Sequence, residues 1–456
     1  MIRNKWITGL LGLSLWLSAC DDYLDIEPKG KTTLETADDY GYLLANSSST
    51  DLAYNIGNLG YLTSEQWPRT VSMVTDLTYP LIQANFLCDE TIDRAYFQES
   101  DALYTSCYKR IALYNVILDN VSESDGTDAK KKAVIAEAKI LRAFEHFVLV
   151  NNYAKHYDAS TASSDLGIII RDEFNLETTP PQRTVQEVYD FILKDIEEAL
   201  PELTDEPMTT FRGSIAMGYA LKAKVMLFMK RWDEALAAAE ESLVHNDYLF
   251  DMVNYYLNKV PAKVDVDMEE NLLFRYGGTS FGPYLSIISP EVIERFGEGD
   301  TRLLAFFRTS PAIPEGLYAY FTFYSQFQFN VAGMRTPEVY LMKAECLARK
   351  GQVAEAMDIV NEIRMKRIVP ESYVAKTATS VQEAMQIIID ERASELLFTF
   401  NRFWDLRRLN TESEYAQTLV REYEGATYTL KPNSPLYIQP FAQSAVDRHP
   451  DLKQNY

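Results

Sequence analysis

Cys20 is the side chain whose surroundings dictate a reaction most directly. Arg3 and Lys5 give a short positive start, Ile7 to Leu17 form an apolar run, and Leu17, Ser18 and Ala19 supply the small residues of a cleavage site. Residues 1–19 therefore read as a signal peptide whose removal leaves Cys20 first, its thiol free to take lipid, as in a bacterial lipoprotein signal. As a helix the apolar run spans only about 16 Å, about half of a bilayer's hydrocarbon core, which argues against a permanent transmembrane anchor. Two or more acyl chains, each buried methylene worth ~0.8 kcal/mol, hold a protein stably on a membrane. The expected attachment is a lipid at Cys20.

No other constellation builds a reaction as well. Gly278, Thr279, Ser280, Phe281 and Gly282 spell G-x-S-x-G, and His449 follows in an order suited to a hydrolase. That pattern needs a strand feeding a helix above a parallel sheet, whereas Pro283 follows at once and no alternating strand and helix units surround it. A glycine-rich loop is the better reading, and no enzymatic activity is expected. His146, His156, His245 and His449 are scattered without metal-ligand spacing, so neither a metal nor another cofactor is expected.

The net charge of −22 over 456 residues becomes more acidic by two when Arg3 and Lys5 leave with the signal. Such a body repels phosphate backbones, which excludes nucleic acid as a partner. Cys88, Cys107 and Cys346 form a sparse, odd set. A bridge between Cys88 and Cys107 is open to an exported protein, but buried free thiols suit the set better. Beyond Cys20 no stretch approaches 18 consecutive apolar residues, so no further membrane span is expected.

Residues 20–34 read as a tether into a single domain over 20–456, and most of that domain carries helical periodicity. Ala129 to Tyr153 sets Val134, Ala138, Leu141, Phe144 and Val148 near 3.6-residue spacing. Thr184 and Glu187 predict a capping box for a helix to about Leu200, ended by Pro201. Arg212 to Phe228 pairs with Asp233 to Leu243, and Thr336 to Arg349 with Val353 to Arg367, Gly351 suiting the C′ position between the latter two. Alanines at the crossings (Ala220 and Ala235; Ala344 and Ala356) and a unit of about 34 residues are similar to tetratricopeptide repeats. Repeat-like pairs over about 104–245 and 333–367 are split by a loop-rich, aromatic-rich insertion over about 246–332. The split favours a brace over a peptide groove. The fold class is mostly all-α with minor β.

Long patterns in order then resemble one family, the SusD/RagB surface lipoproteins of Bacteroidetes. Cys20, Asp21, Asp22, Tyr23, Leu24, Asp25 and Pro28 are similar to its start, and Ile135 to Tyr153 to its first repeat helix, with Arg183 to Leu203 as companion. Asp300 and Arg302 match its DxR, Met334 to Gly351 its later repeat, Glu391 to Arg408 its ERxxELxFExxRxxDLxR, and Pro435 to Tyr456 its tail. Thr399 stands where Glu is usual, and Gln439 and Phe441 depart from the tail's Pro-Ile-Pro. The charged residues there read as buried ion-pair scaffolding. The resemblance implies a SusD-like fold and an outer-membrane, lipid-anchored, cell-surface protein. It further implies capture of an oligosaccharide for delivery to a SusC-like TonB-dependent transporter. A peptide-capturing protein of RagB type and a ligand-free scaffold for the transporter are the alternatives.

A sugar offers flat C–H faces rimmed by hydroxyls, so its binder needs exposed rings beside planar polar groups. Trp232 and Trp404 lie at a repeat turn and within a helix, where packing is expected. Trp67 instead sits in a polar loop with Tyr61, Glu65, Gln66 and Arg69, a segment resembling the family's early ligand-contacting loop. Tyr276, Tyr284, Tyr320 and Tyr324 of the insertion form the second candidate surface. Alternation from Tyr318 to Tyr324 predicts a strand with only half of its rings exposed.

Overall fold

The computed structural model describes residues 34–45, 53–54, 58–76, 78–175, 177–205, 207–258, 266–277, 287–309, 311, 313, 315–320 and 330–456. The signal segment, Cys20, nearly all of the tether and the G-x-S-x-G loop lie outside them.

Helix starts follow their caps. Asp101 accepts hydrogen bonds from the N–H groups of Leu103 and Tyr104 at the head of helix Ala102–Asn120. Thr127 does the same for Lys130 at the head of Asp128–Tyr153. Thr184 and Glu187 form the expected capping box before Val185–Ala199, and Leu200–Glu202 then tighten into a 3₁₀ turn. The next helix, Ile215–Phe228, begins after Ser214 rather than at Arg212. Gly213 fits there because a Cβ would stand 2.5 Å from the Ile140 Cγ2. The Arg212 guanidinium turns instead onto Glu137, Nε to Oε2 2.6 Å. Lys230, at φ 59°, reverses the chain into Trp232–His245. Thr336–Arg349 and Val353–Met365 are joined through Gly351 at φ 83°.

These helices stack in chain order: Ala102–Asn120 on Asp128–Tyr153, then Val185–Ala199, Ile215–Phe228 and Trp232–His245. Trp232–His245 then packs directly on Thr336–Arg349, which packs on Val353–Met365 and Val381–Glu395. The array is therefore continuous in space, although the insertion splits it in sequence. Ala220, Ala235, Ala344 and Ala356 are fully buried, which lets the helices close at their crossings. Trp404 is buried against Phe400 and Phe147, and Trp232 lies under the Arg349 guanidinium at 4.2 Å, so both serve packing as expected.

Described strands are short and fall into small separate sheets. The one with three strands places Tyr318–Tyr320 between Ile287–Ile288 and Phe307–Arg308, all antiparallel. Near the C-terminus, Leu419–Tyr423 and Ala426–Leu430 form a hairpin whose turn residues Glu424 and Gly425 both have positive φ.

Buried ion pairs fasten the insertion to the repeats. Arg302 meets Asp300 at 2.7 Å and Glu391 at 2.6 Å; Arg367 meets Glu270 at 2.8 Å and Glu395 at 2.9 Å. Further along, Arg408 pairs with Glu345 and Asp405, and Arg392 with Asp405. These groups answer one another, as burial of charge requires. Thr399, in the place of the usual Glu, donates its hydroxyl to the Leu396 carbonyl and stays buried. Cys88, Cys107 and Cys346 are free thiols, and among the described residues no helix is long and apolar enough to cross a membrane.

Candidate functional site

The Trp67 loop is shaped by a tight reversal. Helix Leu59–Leu62 ends at Thr63, Ser64 takes φ 60°, and the N–H groups of Glu65 and Gln66 both donate to the Gly60 carbonyl at 2.8 Å. A Cβ on Gly60 would stand 2.6 Å from the Gln66 side chain, so this closeness needs glycine. The chain then leaves along the insertion. Trp67 donates its N–H to the Ile287 carbonyl at 2.9 Å, the Ser289 N–H donates to the Glu65 carbonyl, and the Ser289 hydroxyl donates to the Ser64 carbonyl at 2.6 Å. Ile287 and Ile288 pair in turn with Ala319 and Tyr318. The early loop and the insertion's aromatic strand thus converge through continuous backbone pairing.

The Trp67 ring is half-buried and held on edge. Phe86 stands 5.3 Å from it at 90° and Tyr423 5.8 Å at 66°, while Phe86 and Tyr423 meet at 5.0 Å. Trp67 also packs against the cluster of Ile287, Leu317 and Ala319. Such a mount fixes the plane of a ring whose remaining surface faces solvent. Beneath it lies Arg421 from the C-terminal hairpin. This buried guanidinium donates to the Tyr61 carbonyl at 2.6 Å, to the Ser64 hydroxyl at 2.8 Å and to the Phe86 carbonyl, and stacks 4.2 Å from the Phe86 ring. Phe86, Arg421 and Tyr423 were not anticipated. The available signal was the alternation of Leu419, Arg421 and Tyr423 along one strand face, with an arginine inside.

Three candidates are corrected by burial. Tyr61, Glu65 and Gln66 are 7%, 1% and 5% exposed, so they support the loop from within instead of meeting a ligand. Burial pushes the Tyr61 hydroxyl up to about 12. The Glu65 carboxyl is pushed up to about 7 by burial, against the pull of Arg295, Arg402, the Thr63 hydroxyl and the Phe398 N–H. Its Oε1 has no hydrogen-bond partner. Trp67 and Arg69 are half-buried and keep part of their surface exposed.

Tyr276 is also half-buried but joins a different cluster, stacked on Phe211 at 5.6 Å and edge-on to Phe274 at 5.1 Å. Its strand runs parallel to Ala53–Tyr54, and no described ring contact links it to Trp67. Tyr320 pairs through its backbone with Phe307, while its side chain, Tyr284 and Tyr324 lie outside the described residues. His146 is structural: Nδ1–H donates to the Arg142 carbonyl and Nε2 accepts from the Arg171 N–H, with burial holding the ring neutral. Among the described residues no cluster of His, Cys, Asp and Glu could hold a metal.

A continuous stack of antiparallel helix pairs, carrying a loop-built aromatic platform on one flank, defines a repeat-scaffold binding protein. Residues 22–227 match a family described as starch-binding and associating with the outer membrane, and residues 324–456 match the SusD family. A SusD-like protein, P38 of Formosa agariphila, is 22% identical, the match covering 90% of this chain and 92% of that one. Among solved structures, a SusD superfamily protein of Bacteroides thetaiotaomicron superposes with a TM-score of 0.71 at 18% identity, covering 92% of this chain and all of its own. The surface glycan-binding protein A of Bacteroides uniformis gives 0.69 at 18% identity, over 92% of this chain and 99% of its own. The chain belongs to the SusD/RagB family, and its first half matches the model described as starch-binding and associating with the outer membrane.

Proposed function

We propose that this protein captures an oligosaccharide on the Trp67 platform while anchored by lipid at Cys20 to the cell-facing side of the outer membrane, and passes it to a SusC-like TonB-dependent transporter. The observation that carries the reading is the half-buried Trp67 indole, fixed by the Phe86 and Tyr423 rings, with Arg69 two residues along the same loop. A rigid ring loses little entropy on stacking against a sugar face, and an adjacent guanidinium supplies hydrogen bonds to its hydroxyls. A site of this shape binds weakly and suits release into a transporter.

Titration of the purified protein with starch-derived and other neutral oligosaccharides tests the capture step. Binding is expected with at least one, and Trp67→Ala is expected to weaken it about tenfold, the cost of truncating an anchor ring. Trp67→Phe keeps the packing against Phe86 and separates loss of stacking from loss of the loop. Binding of peptide pools in place of every glycan would refute the reading, as would glycan affinity indifferent to Trp67. Cys20→Ala in cells is expected to release the protein from the outer membrane, with retention refuting the anchor.

A further inference from the structure

A cavity of about 340 Å³ opens between helix Ala102–Asn120 and the C-terminal helix Gln443–Arg448. It shares no residue with the Trp67 platform. Tyr104, Thr105 and Tyr108 line one wall; Arg171, Arg448 and His449 line the others, with Lys109 at the edge. In a chain of net charge −22 this concentration of cations runs against the surrounding field.

Arg171 is built in. Asn115 donates to the Arg171 carbonyl at 3.2 Å and the Arg171 N–H meets His146, which fixes the backbone. Its Nη1 donates to the carbonyls of Asn175 and Thr178 at 3.0 and 3.2 Å. The Nε and Nη2 edge, which pairs with an oxyanion through two parallel bonds, has no partner among the described residues. Arg448 is exposed and makes no hydrogen bond or ion pair there. His449 Nδ1 is buried without a partner. The acidic group in the lining, Asp101, already accepts from the Tyr153 hydroxyl at 2.5 Å, from Gln98 at 2.7 Å and from two backbone N–H groups. Tyr104 and Tyr108 present paired rings 4.8 Å apart, and the hydroxyls of Thr105 and Ser444 complete the lining.

We propose that this cavity is a second ligand site, taking one sugar ring that carries an oxyanion. Arg171 and Arg448 receive the anion, the tyrosine wall faces the ring, and Thr105 and Ser444 face its hydroxyls. The volume lies in the range that holds a small ligand. The inference stands apart from the Trp67 reading, since either site can fail alone.

Calorimetric titration at ~0.15 M salt with glucuronate, glucose 6-sulfate, glucose and acetate tests it. At least one of the two anionic sugars is expected to bind about tenfold or more tighter than glucose and than acetate, the tighter one naming the carboxylate or the sulfate ester as the source. Arg448→Gln, on the surface and harmless to folding, is expected to remove about that tenfold, and Arg171→Gln as much or more. Trp67→Ala is expected to leave this binding unchanged. Equal affinity for glucose, acetate binding as well as both anionic sugars (an adventitious ion only), indifference to Arg448→Gln, or loss in Trp67→Ala would each overturn the proposal.

Discussion

Replacing Glu65 by Gln should stabilise the protein at neutral and alkaline pH and leave it unchanged in acid. The Glu65 side chain is buried under the Trp67 loop, its Oε1 lacks a partner, and its folded carboxyl titrates near 7 against an ordinary 4.5. Folding therefore favours the protonated acid. Below about pH 4.5 both folded and unfolded chains carry it protonated, and the fold loses nothing. Between 4.5 and 7 the unfolded chain ionises first, so stability drains away as pH rises; above 7 the deficit is constant. At ~1.4 kcal/mol per pH unit the interval from 4.5 to about 7 amounts to about 3 kcal/mol. The pull of Arg295 and Arg402 is already contained in that figure, because it acts on the folded carboxylate. Glutamine mimics the protonated acid at every pH. Urea unfolding of both proteins at pH 4, 5.5, 7 and 8.5 should then show a difference near zero at pH 4, growing to about 3 kcal/mol in favour of Glu65→Gln at pH 8.5. Every other titrating group is common to the pair and cancels. A variant less stable than the parent at pH 8.5 would refute the reasoning, since it would mean that the ionised carboxylate is a net asset to its arginine neighbours.

Other expectations follow from the same structure. Arg421→Met leaves the Tyr61 and Phe86 carbonyls and the Ser64 hydroxyl without their buried donor, and should cost about 2–4 kcal/mol in urea unfolding with a red-shifted tryptophan emission; an unchanged midpoint would show that the clasp is dispensable. Gly299→Ala places a Cβ 2.5 Å from Val369 at φ 76°, and should lower stability by about 2 kcal/mol or more. Glu345 and Asp405 are held down to about 2 by their arginines despite burial, so their contribution is present above about pH 4.5 and is lost as pH falls toward 2. Acid unfolding monitored by circular dichroism should accordingly begin earlier in Arg408→Met, and an unshifted acid transition would count against these pairs.

Local features were legible because their causes are local. Thr184 with Glu187 announces a helix head, Gly351 a helix end, and the structure has both. The start at Ser214 was missed because Arg212, a good helix former, is claimed by Glu137 from another helix. Continuity of the repeat array was hidden for a related reason: whether an insertion separates two helix pairs or merely loops out depends on what packs across it, and Trp232–His245 meets Thr336–Arg349 directly. In the binding loop, Trp67 could be singled out by residue type, but not the inward turn of Tyr61, Glu65 and Gln66. That turn is imposed by Gly60 and by an arginine far along the chain.

Chemical prominence in the sequence and chemical availability in the fold are thus separate properties. The charged stretch Glu391 to Arg408 is buried: Arg392, Asp405 and Arg408 pair with one another and with Glu345, and Glu391 and Glu395 pair with Arg302 and Arg367. A buried charge that is answered has nothing left for a ligand, since its removal costs about 3–5 kcal/mol of fold. Cations with an unspent edge, Arg171 and Arg448, come instead from unremarkable stretches and meet only because the C-terminal helix folds back beside Ala102–Asn120. The two proposed sites therefore sit where partners run out, at the half-buried Trp67 and along the wall between the first long helix and the last short one.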